Sequence, residues 1–164
     1  MSEPELLRYR SNLLGADLAV TNFGGGNTSA KVKQTDPVTG QPTTVLWVKG
    51  SGGDLGSMGL DGFATLHLDR LRALETRYPG LSEEDGMVPL LRHCIFAANP
   101  RPPSIDTPLH TFLPYAHIDH THPDAVIAIA ASADSEALTQ EIFGDTIGWL
   151  PWQRPGFDLG LCLR

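Results

Sequence analysis

Two glycine-rich stretches constrain this chain more than any other feature. The first is Asn22-Phe23-Gly24-Gly25-Gly26-Asn27-Thr28-Ser29 and the second is Lys49-Gly50-Ser51-Gly52-Gly53. Both are too rich in glycine for the interior of a helix or strand, where the missing side chain costs backbone entropy and packing. Between them lie Lys31-Val32-Lys33, the turn residues Pro37-Val38-Thr39-Gly40 and the β-branched run Thr43-Thr44-Val45-Leu46-Trp47-Val48. That order predicts a short strand, a turn and the returning strand of a hairpin.

Helical periodicity dominates elsewhere. Leu6, Leu7, Arg10, Leu13, Leu14 and Leu18 recur at helical spacing, so an amphipathic helix precedes the first loop and runs out near Thr21. Phe63 to Leu68 reads equally as strand or helix. Asp69 is a candidate N-cap for a helix through Leu71, Leu74 and Glu75 that ends at Pro79-Gly80. Ser82-Glu83-Glu84-Asp85 opens another, through Leu90, Leu91 and Cys94 to about Ala98, and Asn99-Pro100-Arg101-Pro102-Pro103 breaks it. Ser104-Ile105-Asp106 leads into a helical piece from about Thr107 to Leu113. The apolar run Ala125 to Ala130 predicts a strand buried on both faces. A helix from about Ser135 to Phe143, a strand from Thr146 to Leu150 and an apolar tail that begins a further element complete the reading. The mixed order predicts one layered α/β domain around a sheet with antiparallel pairs. A length of 164 residues is enough for one such core.

Composition removes several functions. A formal charge of −7 gives no basic footprint for nucleic acid. Met1-Ser2-Glu3-Pro4-Glu5 is acidic and lacks the basic and apolar regions of a signal peptide. No apolar run approaches the roughly 20 residues that span a bilayer. A cytoplasmic protein without a membrane partner is expected. Cys94 and Cys162 sit in apolar surroundings with no CxxC spacing, so buried free thiols are expected.

The histidines carry the chemistry. His110, His117, His120 and His122 crowd into one short segment. At a strand start, His120 and His122 would point to the same side and could converge on one ion. Zn²⁺ favours nitrogen and sulfur donors, and a catalytic site typically has three protein ligands plus an open position. The local supply here is two. His117 is open between a ligand, a supporting partner and a solvated side chain. His110 lies four residues after Asp106, so in a helix the two would form a carboxylate–imidazole pair suited to proton transfer. His67 and His93 read as packing residues. The glycine loops offer exposed backbone N–H groups, with a lysine, hydroxyls and an amide alongside. Each is open between a tight turn and an anion cradle. Two of them with a histidine cluster point to a small phosphorylated ligand.

These strings, with Ser104-Ile105-Asp106-Thr107-Pro108-Leu109-His110 and His117-Ile118-Asp119-His120-Thr121-His122-Pro123, resemble the class II aldolase/adducin family. Within it they are similar to the aldolase part of bifunctional rhamnulose-1-phosphate aldolase/lactaldehyde (alcohol) dehydrogenases. The resemblance implies a three-layer α/β/α domain with a mostly antiparallel central sheet, a divalent metal (usually zinc) and a homo-oligomer. It implies His120 and His122 as metal ligands and Asp106 as the acid/base carboxylate. It further implies Gly26, Asn27, Ser29, Ser51, Gly52 and Ser104 as contacts to the phosphate of a sugar phosphate. The implied reaction cleaves rhamnulose 1-phosphate to dihydroxyacetone phosphate and lactaldehyde. A sugar-phosphate epimerase, a dehydratase or a non-catalytic adducin-like module are the alternatives. Asp106 is one methylene shorter than the glutamate usual in the family, and Ile105 replaces a second serine. The family's third histidine ligand lies downstream of Arg164, so residues 1–164 are expected to be an incomplete N-terminal domain. NAD would bind only in a dehydrogenase domain beyond it.

Overall fold

The hairpin forms as expected, but its first strand is longer. β1 (Asn27–Thr35) and β2 (Pro42–Lys49) pair antiparallel, with Ser29 opposite Val48 and Thr35 opposite Pro42. Asp36 closes the turn by accepting hydrogen bonds from the backbone of Val38 and Thr39. The extension turns Asn27, Thr28 and Ser29 into strand residues whose side chains have a fixed direction. β3 (Phe63–His67) adds to β2, and β4 (His117–His120) adds to β1. The four-stranded order is β3-β2-β1-β4, with every pair antiparallel. The computed structural model describes residues 1–98 and 101–164, so the expected break at Asn99-Pro100 lies outside the described residues.

Antiparallel pairing positions the site. The entrance to β1 and the exit from β2 fall at one end of the hairpin, so the two glycine loops lie side by side. β4 runs against β1, and its last residue, His120, stands opposite Asn27 at that same end.

Helices cover both faces. They are α1 (Glu3–Ala16), α2 (Leu68–Ala73), α3 (Glu84–Met87), α4 (Thr107–Phe112), α5 (Asp124–Ala130), α6 (Ser135–Phe143) and α7 (Phe157–Cys162). α1 starts with a Ser2/Glu5 capping box and lays Leu7 against Ala30, Val32 and Phe63. On the other face, Leu46, Val48, Ala64 and Leu66 pack with Leu71, Met87, Leu91, Phe112 and Phe157. Each of the larger side chains contributes about 1.5–3 kcal/mol on burial, so this cluster, the more extensive of the two, dominates stability. The result is the three-layer α/β/α arrangement that the resemblance implies.

Several local expectations fail for physical reasons. Ala125 to Ala130 is helix α5, not a buried strand, and none of its residues is buried. Pro123 starts it from an extended conformation, Asp124 complements its dipole, and alanines favour it. A short apolar run does not separate strand from helix by periodicity. Thr146 to Leu150 forms no strand: Ile147 is extended, but the segment has no ladder partner among the described residues. The helix expected from Ser82 to Ala98 breaks into a 3-10 turn at Leu81–Glu83, α3 and a 3-10 stretch at Val88–Cys94. Pro89 lacks the donor and crowds the preceding turn. Asp69 stands in the first turn of α2, and His67 occupies the N-cap. The ambiguous stretch before it resolves as β3. His67 packs edge-on against Phe96 at 5.1 Å between centroids, whereas His93 is exposed. Cys94 is buried, and burial raises its thiol to about 11, but Cys162 is exposed near the chain end.

The apolar tail becomes α7, which is anchored by a buried acid. Glu84 is 3% exposed and accepts hydrogen bonds from Phe157 N at 2.5 Å, Asp158 N at 3.2 Å and Tyr78 Oη at 2.8 Å. Replacement by alanine leaves those donors unpaired. Glu84→Ala is expected to cost about 2–4 kcal/mol in urea unfolding, and Glu84→Gln clearly less, because an acceptor oxygen remains. Equal stability of Glu84→Ala and wild type would remove the anchoring role.

Candidate active site

The strongest geometric observation is convergence. A cavity of about 390 Å³ is lined by residues 24–27 and 49–52 together with Ser104, Ile105, Asp106 and His122. Its size falls in the usual range for small-molecule sites. The two glycine loops therefore open on the same space as the carboxylate and one of the paired histidines. Backbone contacts hold the second loop: Gly50 N donates to Gly62 O and Ser51 N to Pro102 O, each at 2.9 Å.

His120 and His122 face one another. Their Nε2 atoms are 3.0 Å apart and their ring planes meet at 60°. Two nitrogens bound to one tetrahedral zinc at ordinary bond lengths lie about 3.3 Å apart, so the pair fits two positions of such a site. His120 ends β4 and His122 lies just beyond it, so the loop residue Thr121, rather than strand alternation alone, turns the rings together. Burial lowers the pKa of His120, helped by His122 and Lys49 and opposed by Asp106, which keeps the ring neutral and able to bind a cation. Among the described residues, no group of three or more His, Cys, Asp or Glu side chains is arranged to hold a metal. His117 sits on the other face of β4 and contacts Arg10 and Glu3 instead.

The glycines serve the histidines as well as the cavity. A Cβ on Gly25 would sit 2.6 Å from His122 Nδ1. Gly26 has φ +80°, and its Cβ would lie 2.7 Å from His120 O. Any side chain at either position would push the first loop off β4.

Asp106 is the N-cap residue of α4, and its Oδ2 accepts from Ser104 Oγ at 3.1 Å. The expected pair with His110 does not form. His110 points into the sheet, where Nδ1 lies 2.8 Å from Ser29 Oγ. Ser29, expected at a phosphate, is fully buried and does not line the cavity. Asn27 and Ser104 do line it, but each is already engaged: Asn27 Oδ1 meets His120 Nδ1 at 3.2 Å, and Asn27 Nδ2 donates to Ser104 Oγ at 3.3 Å. Gly26, Ser51 and Gly52 present backbone or hydroxyl groups directly to the cavity. Lys49, read only as an accessory of its loop, is 4% exposed and supplies a cation at the cavity wall. Burial lowers its pKa, with Arg101 adding and Asp106 and Asp54 opposing.

Comparison with known proteins decides the family. The model for the "Class II Aldolase and Adducin N-terminal domain" matches residues 7–161. The chain belongs to this family. It is 47% identical over 155 residues to a Bacillus subtilis (strain 168) protein named "Uncharacterized oxidoreductase YuxG". That match covers 94% of this chain and 22% of the relative, so the chain spans under a quarter of that protein's length. It is also similar to the solved N-terminal class II aldolase domain of a conserved protein from Thermoplasma acidophilum. There the TM-score is 0.85 at 33% identity, over 97% of this chain and 72% of the other. No helix among the described residues is long and apolar enough to cross a membrane.

His110 gives the class II aldolase domain a pH signature. Burial, with the fields of His120 and Lys31, lowers its pKa to about 3, and its Nε2 has no hydrogen-bond partner. The unfolded chain therefore takes up a proton first as pH falls. Stability from this site is full above the ordinary histidine value near 6.5 and declines toward pH 3, with a slope of up to about 1.4 kcal/mol per unit. His110→Asn is expected to show a shallower loss between pH 6 and 4 in urea titrations than wild type. Identical slopes would show that His110 protonates equally in both states.

Proposed function

We propose that this domain is the sugar-phosphate site of a metal-dependent aldehyde-lyase. It would cleave rhamnulose 1-phosphate to dihydroxyacetone phosphate and lactaldehyde within a longer protein that also carries a short-chain dehydrogenase. One observation supports the reading most: both glycine loops, Asp106 and His122 line one cavity, and His120 lies directly behind His122, 3.0 Å away between Nε2 atoms. The oxidoreductase name and greater length of the Bacillus relative are compatible with a dehydrogenase elsewhere in the chain, where NAD would bind.

Cleaving a C–C bond beside a ketone leaves an electron pair on carbon and negative charge on the ketone oxygen. A divalent metal, when bound, supplies a Lewis acid for that charge. His120 and His122 would hold it through Nε2. Asp106 would take the proton from the hydroxyl that becomes the aldehyde and return it to the carbon of the ketone fragment. Gly26, Ser51, Gly52 and Lys49 would anchor the phosphate, and Ser104 would support that end of the cavity. Binding energy from the phosphate then orients the bond to be broken. The family's oligomeric habit makes a homo-oligomer the expected assembly.

Sugar-phosphate epimerases and dehydratases use similar parts. A second reading is an adducin-like binding module without catalysis. Zinc content per chain separates that module from an enzyme.

The test is aldehyde release from rhamnulose 1-phosphate with and without chelator. Chelation is expected to abolish release and added Zn²⁺ to restore it. Chelator-insensitive cleavage removes the metal, and products of unchanged carbon number replace the aldehyde-lyase with an epimerase or a dehydratase. Asp106→Asn is expected to lower kcat by about 10²–10⁴-fold with little change in KM. A fall in KM-limited binding alone would reassign Asp106 to substrate contact.

A further inference from the structure

Asn27 sits in a string that reads as a phosphate loop, yet its side chain is 4% exposed and both of its polar atoms are used. The direction of each hydrogen bond in its network can be deduced. The Asp106 carboxylate only accepts, so the single hydroxyl proton of Ser104 goes to Asp106 Oδ2 at 3.1 Å. Ser104 Oγ is then an acceptor, receiving Asp106 N at 3.2 Å and Asn27 Nδ2 at 3.3 Å. With its amide nitrogen turned to Ser104, Asn27 presents Oδ1 to His120 Nδ1 at 3.2 Å. An amide oxygen only accepts, so His120 carries its proton on Nδ1. The lone pair is left on Nε2, the nitrogen that faces His122.

We propose that Asn27 is a positioning residue for the metal, and that with Ser104 it ties a metal-binding imidazole to the proton-transfer carboxylate. This rests on the metal-site reading above. The pairing of Asn27 opposite His120 makes the contact a consequence of sheet register. The same two side chains set the tautomer of His120 and the orientation of Asp106. The link between His120 and Asp106 therefore runs through a strand residue and Ser104, and not through the glycine loop. A second bond on a metal-bound histidine that orients the ring and raises its basicity is a general device for tuning a metal site.

Zn²⁺ affinity measured by competition with a chromophoric chelator, with no phosphate present, tests this. Asn27→Ala is expected to bind Zn²⁺ about 10- to 100-fold more weakly. Asn27→Asp keeps an acceptor for Nδ1–H, so its affinity should stay within about threefold of wild type or be tighter. A role confined to phosphate contact would leave both values unchanged. Wild-type binding with an unaltered Asn27→Ala affinity overturns this inference alone. Failure of wild type to bind Zn²⁺ overturns the metal reading with it. Should Asn27→Ala not fold, ¹⁵N NMR of the wild-type imidazoles decides: a proton on His120 Nδ1 supports the assignment, and one on Nε2 overturns it.

Discussion

The pairing of β4 against β1 is the contact on which the rest of the site depends. β4 is a short edge strand, and its register brings His120 opposite Asn27. A slip by one residue would send His120 to the other face of the sheet. Arg10 of α1 helps to hold the register: it donates to Asp119 Oδ1 and to Ser29 O, each at 2.9 Å, and meets His117 Nδ1 at 3.2 Å. Partly exposed ion pairs contribute little energy, so the value of this clamp lies in its geometry. It joins a helix, a central strand and the edge strand at three points.

Polar groups thread the layers at this end of the sheet. Ser11 Oγ meets Thr28 Oγ1 at 2.6 Å on the α1 side, while Ser29 meets His110 on the α4 side. Successive residues of one strand thus reach opposite faces, as strand geometry requires. Buried polar pairs of this kind add little net stability but penalise any arrangement that leaves a partner unsatisfied. They suit a place where the backbone must be held in a defined position. The large apolar cluster on the face opposite α1 stabilises the domain, and none of its buried side chains lines the cavity.

α5 and α6 differ in character. They pack on each other, and Val126, Ile127 and Ile142 remain exposed. Here the misreading of Ala125 to Ala130 is instructive. A short apolar run suggests burial on both sides, whereas the local signals, Pro123 and Asp124 before a run with three alanines, favour a helix wherever it lies. Burial follows from what packs against a segment, and the segment's composition does not carry that information.

Local chemistry made much legible from the residues alone. The glycine loops, the β-branched hairpin, the amphipathic first helix and the paired imidazoles each have a short-range physical signal. The ordered motifs identified the family. Tertiary structure decided which groups meet. Asp106 and His110 are four residues apart but face different partners, because Asp106 is a cap outside α4 and His110 lies within it. Ser29 and Asn27 left the loop for a strand, whose pleat sends both to one face, where Ser29 meets His110 and Asn27, paired with the edge strand, meets His120. Those choices depend on strand register and helix start points, set by contacts between residues distant along the chain, and no local pattern encodes them.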